Sequence, residues 1–158
     1  MPTAPLDALD HRLLALLQRD ADLSNQALAA RVGLSPSACL RRVARLKAAG
    51  IIRGIVAVLD PARMARGLTA IVTVEFAHHG AAFRQGFTRR VRDEPAVSQC
   101  YMVTGQVSCV VIAHLRDMDE YLALADRLFE RDENVRAFYT HIVMQTIKQE
   151  PAGLAAPD

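Results

Sequence analysis

Gly33-Leu34-Ser35-Pro36 restricts the fold more than any other stretch, because it ends one apolar-striped segment and starts another within four residues. Glycine tolerates the positive φ of a sharp turn, Leu34 is placed to plug a core, and serine before proline is an N-cap with proline at the first helical position. A helix therefore begins at Pro36, and Gly50 closes it as a C-terminal cap. Upstream, Ser24 is an N-cap for a short helix from Asn25 to Arg31 that turns Leu28, Ala29 and Val32 toward one core. Before that, Asp7 or Asp10 caps a helix striped by Leu9, Leu13, Leu14, Leu16 and Leu17, which ends near Asp20. Helix, tight glycine turn and serine-capped helix follow one another in the helix-turn-helix order.

Around the third helix Cys39, Val43 and Leu46 are expected on one side with Leu40 beside them, and Ser37, Ala38, Arg41, Arg42 and Arg45 on the opposite arc. Small residues at the helix start admit close approach to base edges, and guanidinium forks suit guanine or phosphate. Ser35, Ser37, Ala38, Arg41, Arg42 and Arg45 are thus the candidate contacts to double-stranded DNA. Charge is segregated in the same sense: 10 basic residues against 5 acidic up to Gly67, and 9 against 12 beyond it. Arginine makes up 17 of the 19 basic residues, a bias that nucleic-acid contact and a GC-rich genome explain equally well.

After Gly54 the apolar run Ile55 to Leu59 reads as a strand, Asp60-Pro61 starts a turn or short helix, and Gly67 marks a module boundary. Beyond it the pattern is strand over 68–77, helix over 82–92, strands over 97–103 and 107–115, helix over 118–129 and strand over 135–147. The helices carry Phe83, Phe87 and Val91, then Tyr121, Leu122, Ala125, Leu128 and Phe129. Both alternation sets of 107–115 are apolar, so a second subunit is expected to cover the sheet face that the helices leave open. The uncharged run over 97–115 is broken by Ser98, Gln99, Thr104, Gly105, Gln106 and Ser108, which makes it a hairpin rather than a membrane helix. Cys39, Cys100 and Cys109 are odd in number and lack CxxC spacing; buried reduced thiols, and with them a cytoplasmic home, are the expectation. The N-terminus has no signal-peptide character. His78, His79 and His114 lack ligand-like companions, so neither a metal nor a cofactor is expected, and no catalytic motif is found.

Taken in order, L-D-x-x-D from Leu6, S-N-x-x-L-A-x-x-V-G-L-S from Ser24, C-x-x-R-V-x-x-L from Cys39, G-x-I from Gly50 and D-P at Asp60 resemble the N-terminal region of the Lrp/AsnC transcriptional regulators. The likeness continues to about Glu150. It implies an α+β chain with an N-terminal winged helix-turn-helix three-helix domain and a C-terminal ferredoxin-like βαββαβ (RAM/AsnC-type) domain. The expected division is a DNA-binding domain over 1–54, a linker strand and turn over 55–67, an effector-binding and oligomerisation domain over 68–150, and a flexible tail over 151–158. The partners implied are double-stranded DNA, a small effector such as an amino acid, and further copies of the chain as dimers or octamers, with no membrane. The family's effector loop carries G-D-x-D or G-E-x-D after a threonine or serine; here Thr104 and Gly105 match, and Gln106, Val107 and Ser108 follow, so both acidic positions are neutral. A carboxylate there would hold an ammonium by a charge-assisted hydrogen bond. The loop therefore takes an amino acid more weakly, takes another ligand, or takes none. The alternative reading is an enzyme: certain tetrapyrrole decarboxylases resemble the same family and would use His114, His141 and Arg136.

Overall fold

The computed structural model describes residues 5–149 as two compact units, one running to Ala57 and including 147–149, the other Val58–Thr146. In the first unit, α1 (Ala8–Arg19), α2 (Asn25–Val32) and α3 (Pro36–Ala48) enclose Leu13, Leu28, Ala29, Val32 and Cys39. Asp7, not Asp10, is the cap of α1: its carboxylate accepts the Asp10 amide, and Asp10 reciprocates to the Asp7 amide. Ser24 and Ser35 cap α2 and α3 by accepting the Ala27 and Ala38 amides. Gly33 (φ 71°) makes the left-handed turn between them, and Gly50 (φ 71°) follows the end of α3. Leu40, expected beside the inward residues, is 60% exposed, because the core closes on Cys39, Val43 and Leu46 without it.

The second unit orders its elements as β1 (Leu68–Phe76), α4 (Ala81–Asp93), β2 (Val97–Met102), β3 (Cys109–Leu115), α5 (Met118–Ala125) with a π-helical turn Asp126–Glu130, and β4 (Val135–Ile142). All pairings in the sheet are antiparallel, in the order β2-β3-β1-β4. Ala70, Val72, Val74 and Phe76 of β1 and Cys109, Val111, Ala113 and Leu115 of β3 are buried with residues of α4 and α5. Aromatic packing runs through this layer, from Phe76 edge-on to Phe87 at 5.0 Å between ring centres to Phe129 on Phe138 at 5.1 Å. The other face carries Ile71, Thr73, Val110, Ile112, Tyr101, Tyr139 and His141, with both tyrosines more than half exposed.

Four expectations are corrected. Ile55–Leu59 forms no strand: Val56 and Val58 are 82% and 83% exposed, and no strand of the described residues offers the run a ladder. Residues 58–67 group with the second unit, where Arg66 donates to the His114 carbonyl at 2.9 Å and pairs with Glu120. The last strand stops at Ile142 rather than 147, because its partner β1 begins at Leu68 and the Val143 amide makes the final bond, to the Thr69 carbonyl. Phe83, Leu122 and Cys100 are exposed; Leu124 takes the inward place on α5, and Cys100 is a free thiol 3.4 Å from the buried Cys109 sulfur. The expected tail over 151–158 lies outside the described residues.

Candidate nucleic-acid interface and effector cavity

The three arginines of α3 do not share one fate. Arg42 donates to Asp7 at 2.6 Å and to Asp10 at 3.0 Å, and Arg45 donates to Asp10 at 2.5 Å. Asp10 is completely buried, which by itself would raise its pKa; the Arg45 guanidinium, the Asp7 amide and Arg42 outweigh that burial and hold the carboxyl down at about 2. Hydrogen bonds from Arg42 and from the Asp10 amide likewise lower Asp7. Arg42 is therefore turned toward α1, contrary to its expected place on the outward arc. Arg45 keeps part of its surface in solvent, at 46% exposure, while bound to the same carboxylate.

Arg41 is exposed and is the one arginine of α3 with no hydrogen bond or ion pair among the described residues. At 100° per residue it stands opposite the buried Cys39–Leu46 side, with exposed Ser37, Ala44 and Ala48 around it. Ser35 and Ser37 are exposed at the helix start, their hydroxyl oxygens 3.2 Å apart. Ala38 is half-buried and lines a shallow groove with Leu34, Arg41, Arg42, Arg45 and Asp7. Asn25 donates to the Pro36 carbonyl at 2.8 Å, which fixes the start of α3 against α2.

In the second unit, Thr104 through Ser108 all line one cavity of about 400 Å³ beside the turn between β2 and β3. Gly105 has φ 122°, which lets the turn close, and the Val103 amide bonds the Ser108 carbonyl across its base at 3.1 Å. Ser108 is committed to the strand: its amide donates to the Val74 carbonyl and its hydroxyl accepts the Phe76 amide at 3.2 Å. Phe76 and Val103 also line the space, together with the polar residues Glu75 from β1, His79, Arg84 from α4 and Arg136 from β4. Arg136 pairs with Glu75 at 2.6 Å. Glu75, His79 and Arg84 were not legible as site residues, since they come from separate elements and share no local motif, and Arg136 was named only for the enzyme reading.

Residues 6–53 match the winged helix-turn-helix DNA-binding family and residues 69–153 the Lrp/AsnC ligand binding domain. The DNA-binding transcriptional activator DecR of Escherichia coli is 35% identical over 143 residues, 90% of this chain and 94% of that protein. The leucine-responsive regulatory protein of the same species is 32% identical over 148 residues, covering 94% and 90%. The solved structure of the transcriptional regulator NMB0573 in complex with L-Met, from Neisseria meningitidis, superposes with a TM-score of 0.87 at 31% identity and covers 97% of both chains. The chain belongs to the Lrp/AsnC family.

It is a transcriptional regulator that joins a helix-turn-helix DNA-binding domain to a ligand-binding domain. As a Lrp/AsnC chain it shows why the L-D-x-x-D stretch is more than a cap. Asp10 sits three and seven residues before Leu13 and Leu17, on the apolar stripe itself, and a carboxylate placed there requires a cation from a neighbouring helix. The His114–His141–Arg136 grouping of the enzyme reading does not form: His114 bonds Thr69 near one end of β1, whereas Arg136 pairs with Glu75 near the other. Among the described residues no helix is long and apolar enough to cross a membrane, and no three His, Cys, Asp or Glu side chains are grouped to hold a metal ion.

Proposed function

We propose that this regulator binds double-stranded DNA by laying the Ser37–Arg41 side of α3 in the major groove. Arg41 is the direct base contact, and Ser35, Ser37 and Ala38 give the close approach at the helix start. Arg42 and Arg45 act mainly by fixing α3 on α1, with the exposed part of Arg45 available to phosphate. The observation that carries this reading is the guanidinium of Arg41, without a hydrogen bond or ion pair among the described residues and opposite the buried side of the helix.

Two copies of the chain form the working unit. Its supports are the apolar open face of the sheet and the exposed Ile55–Leu59 run, which has the composition of a strand and has no partner strand among the described residues. Dimers can then assemble to octamers. The DNA-binding domain spans 1–54 and the ligand-binding domain 68–150, with 58–67 attached to the second. The effector, an amino acid or related metabolite, sits beside Thr104–Ser108 and acts by binding one DNA-binding arrangement better than another. The chain works in the cytoplasm as a regulator, not as an enzyme.

Footprinting of the full-length protein on selected operator sites tests the DNA reading. Protection of two half-sites about one helical turn apart is expected. Wild-type affinity of Arg41→Ala on both operator and scrambled duplex would overturn it.

A further inference from the structure

We infer that the cavity beside the 103–108 turn takes a small carboxylate anion, with Arg84 as its counter-ion and no requirement for an ammonium group. The inference rests on the reading of Thr104–Ser108 as the effector site and names the class of molecule that enters it.

The volume, about 400 Å³, is that of a small-metabolite site. Its charge is one-sided. Among the described residues the only carboxylate on the lining belongs to Glu75, and Arg136 already holds it at 2.6 Å. Arg84 lines the same space, is half-buried, and has no hydrogen bond or ion pair among the described residues. A guanidinium presents donors in a planar fork that matches a carboxylate, so an incoming carboxylate gains two parallel hydrogen bonds without displacing a protein partner. The amides of residues 104–107 donate to no backbone carbonyl among the described residues, which adds neutral donors at the turn.

An ammonium meets the opposite situation. It needs acceptors, preferably charged ones, and the two turn positions suited to supply them carry Gln106 and Ser108. The Ser108 hydroxyl already accepts the Phe76 amide. An ammonium near Arg84 would add like charge to a lining whose single negative group is matched. Replacing the amino group of a ligand by an oxo group removes that penalty and leaves the carboxylate contact to Arg84 unchanged.

Calorimetry on the full-length protein with pairs differing only at the α-carbon decides the matter: 2-oxoglutarate against L-glutamate, and pyruvate against L-alanine. At least one 2-oxo acid is expected to bind ten-fold or more tightly than its amino acid. Arg84→Met should weaken it ten-fold or more with α4 intact by circular dichroism, Arg84→Lys should fall between, and Gln106→Asp should shift the preference toward the amino acid. If an amino acid outbinds its oxo partner in the wild type and Gln106→Asp strengthens it further, the anion inference is wrong while the effector site stands. If neither pair binds, or binding ignores both Arg84→Met and Gln106→Asp, the effector-site reading falls with it.

Discussion

The α1–α3 contact and the cavity beside the β2–β3 turn are both rich in arginine, yet they put the charge to opposite uses. Between α1 and α3, two guanidiniums close on two carboxylates, one of them fully buried, and the network is complete without any other molecule. Around the cavity, one guanidinium is matched by Glu75 and the other, Arg84, has no partner among the described residues. Counting basic residues along a segment therefore overstates its reach toward an anionic partner. What matters is the cation remaining after internal pairing: Arg41 in the first region and Arg84 in the second.

The largest expected effect breaks the closed network. Asp10→Ala should cost roughly 2–3 kcal/mol of stability near neutral pH, measured by urea unfolding. The sign follows from the folded pKa of about 2, below the ordinary aspartate value of 3.8. A depressed carboxylate contributes stability that is present above its unfolded pKa and is lost as pH falls through the folded value. Wild type should therefore lose stability between about pH 4 and pH 2, and the alanine variant should show a flatter acid limb. An identical acid limb in both proteins would show that the pairing does not hold Asp10 in solution.

Arg41→Ala comes next, with a loss of about 2 kcal/mol in operator binding by fluorescence anisotropy and no change in unfolding midpoint. A loss equal on operator and scrambled duplex, with a shallower salt dependence, would reassign Arg41 to phosphate. Gly105→Ala should destabilise the second unit by about 1 kcal/mol, since φ 122° strains any side chain although a Cβ there would meet nothing within 4 Å. Thermal unfolding followed by tryptophan-free far-UV circular dichroism reads this change. The smallest effect is on DNA affinity in Arg45→Lys: below about 0.5 kcal/mol, because a lysine still satisfies Asp10 and this arginine is a positioning group in the proposed contact. A loss as large as that of Arg41→Ala would erase the distinction between paired and unpaired arginines.

Much of the local structure was legible because it is set by neighbours in the chain. The caps at Ser24 and Ser35, the turn at Gly33 and the change from helical to strand periodicity each depend on a few adjacent residues. The 104–108 turn was legible for the same reason. Errors gathered where a residue's surroundings come from afar. Arg42 and Arg45 read as outward because they are charged, although at 100° per residue Arg42 stands only about 60° from Cys39 and Arg45 about 120°; neither charge nor pitch carries information about a carboxylate 32 or 35 residues upstream. Ile55–Leu59 read as a strand by composition, yet a strand exists only where another backbone supplies its hydrogen bonds.

The order of residues by itself determined where helices start and stop, which side of each is apolar, the family, and the neutral character of the 104–108 turn. Those properties arise from short-range dihedral preferences, capping and apolar spacing. Tertiary structure alone decided which charges cancel and which remain, because electrostatic pairing depends on separations of a few ångströms between side chains far apart in the chain. It thereby singled out Arg41 on α3 and brought Arg84, Arg136 and Glu75 around one small cavity.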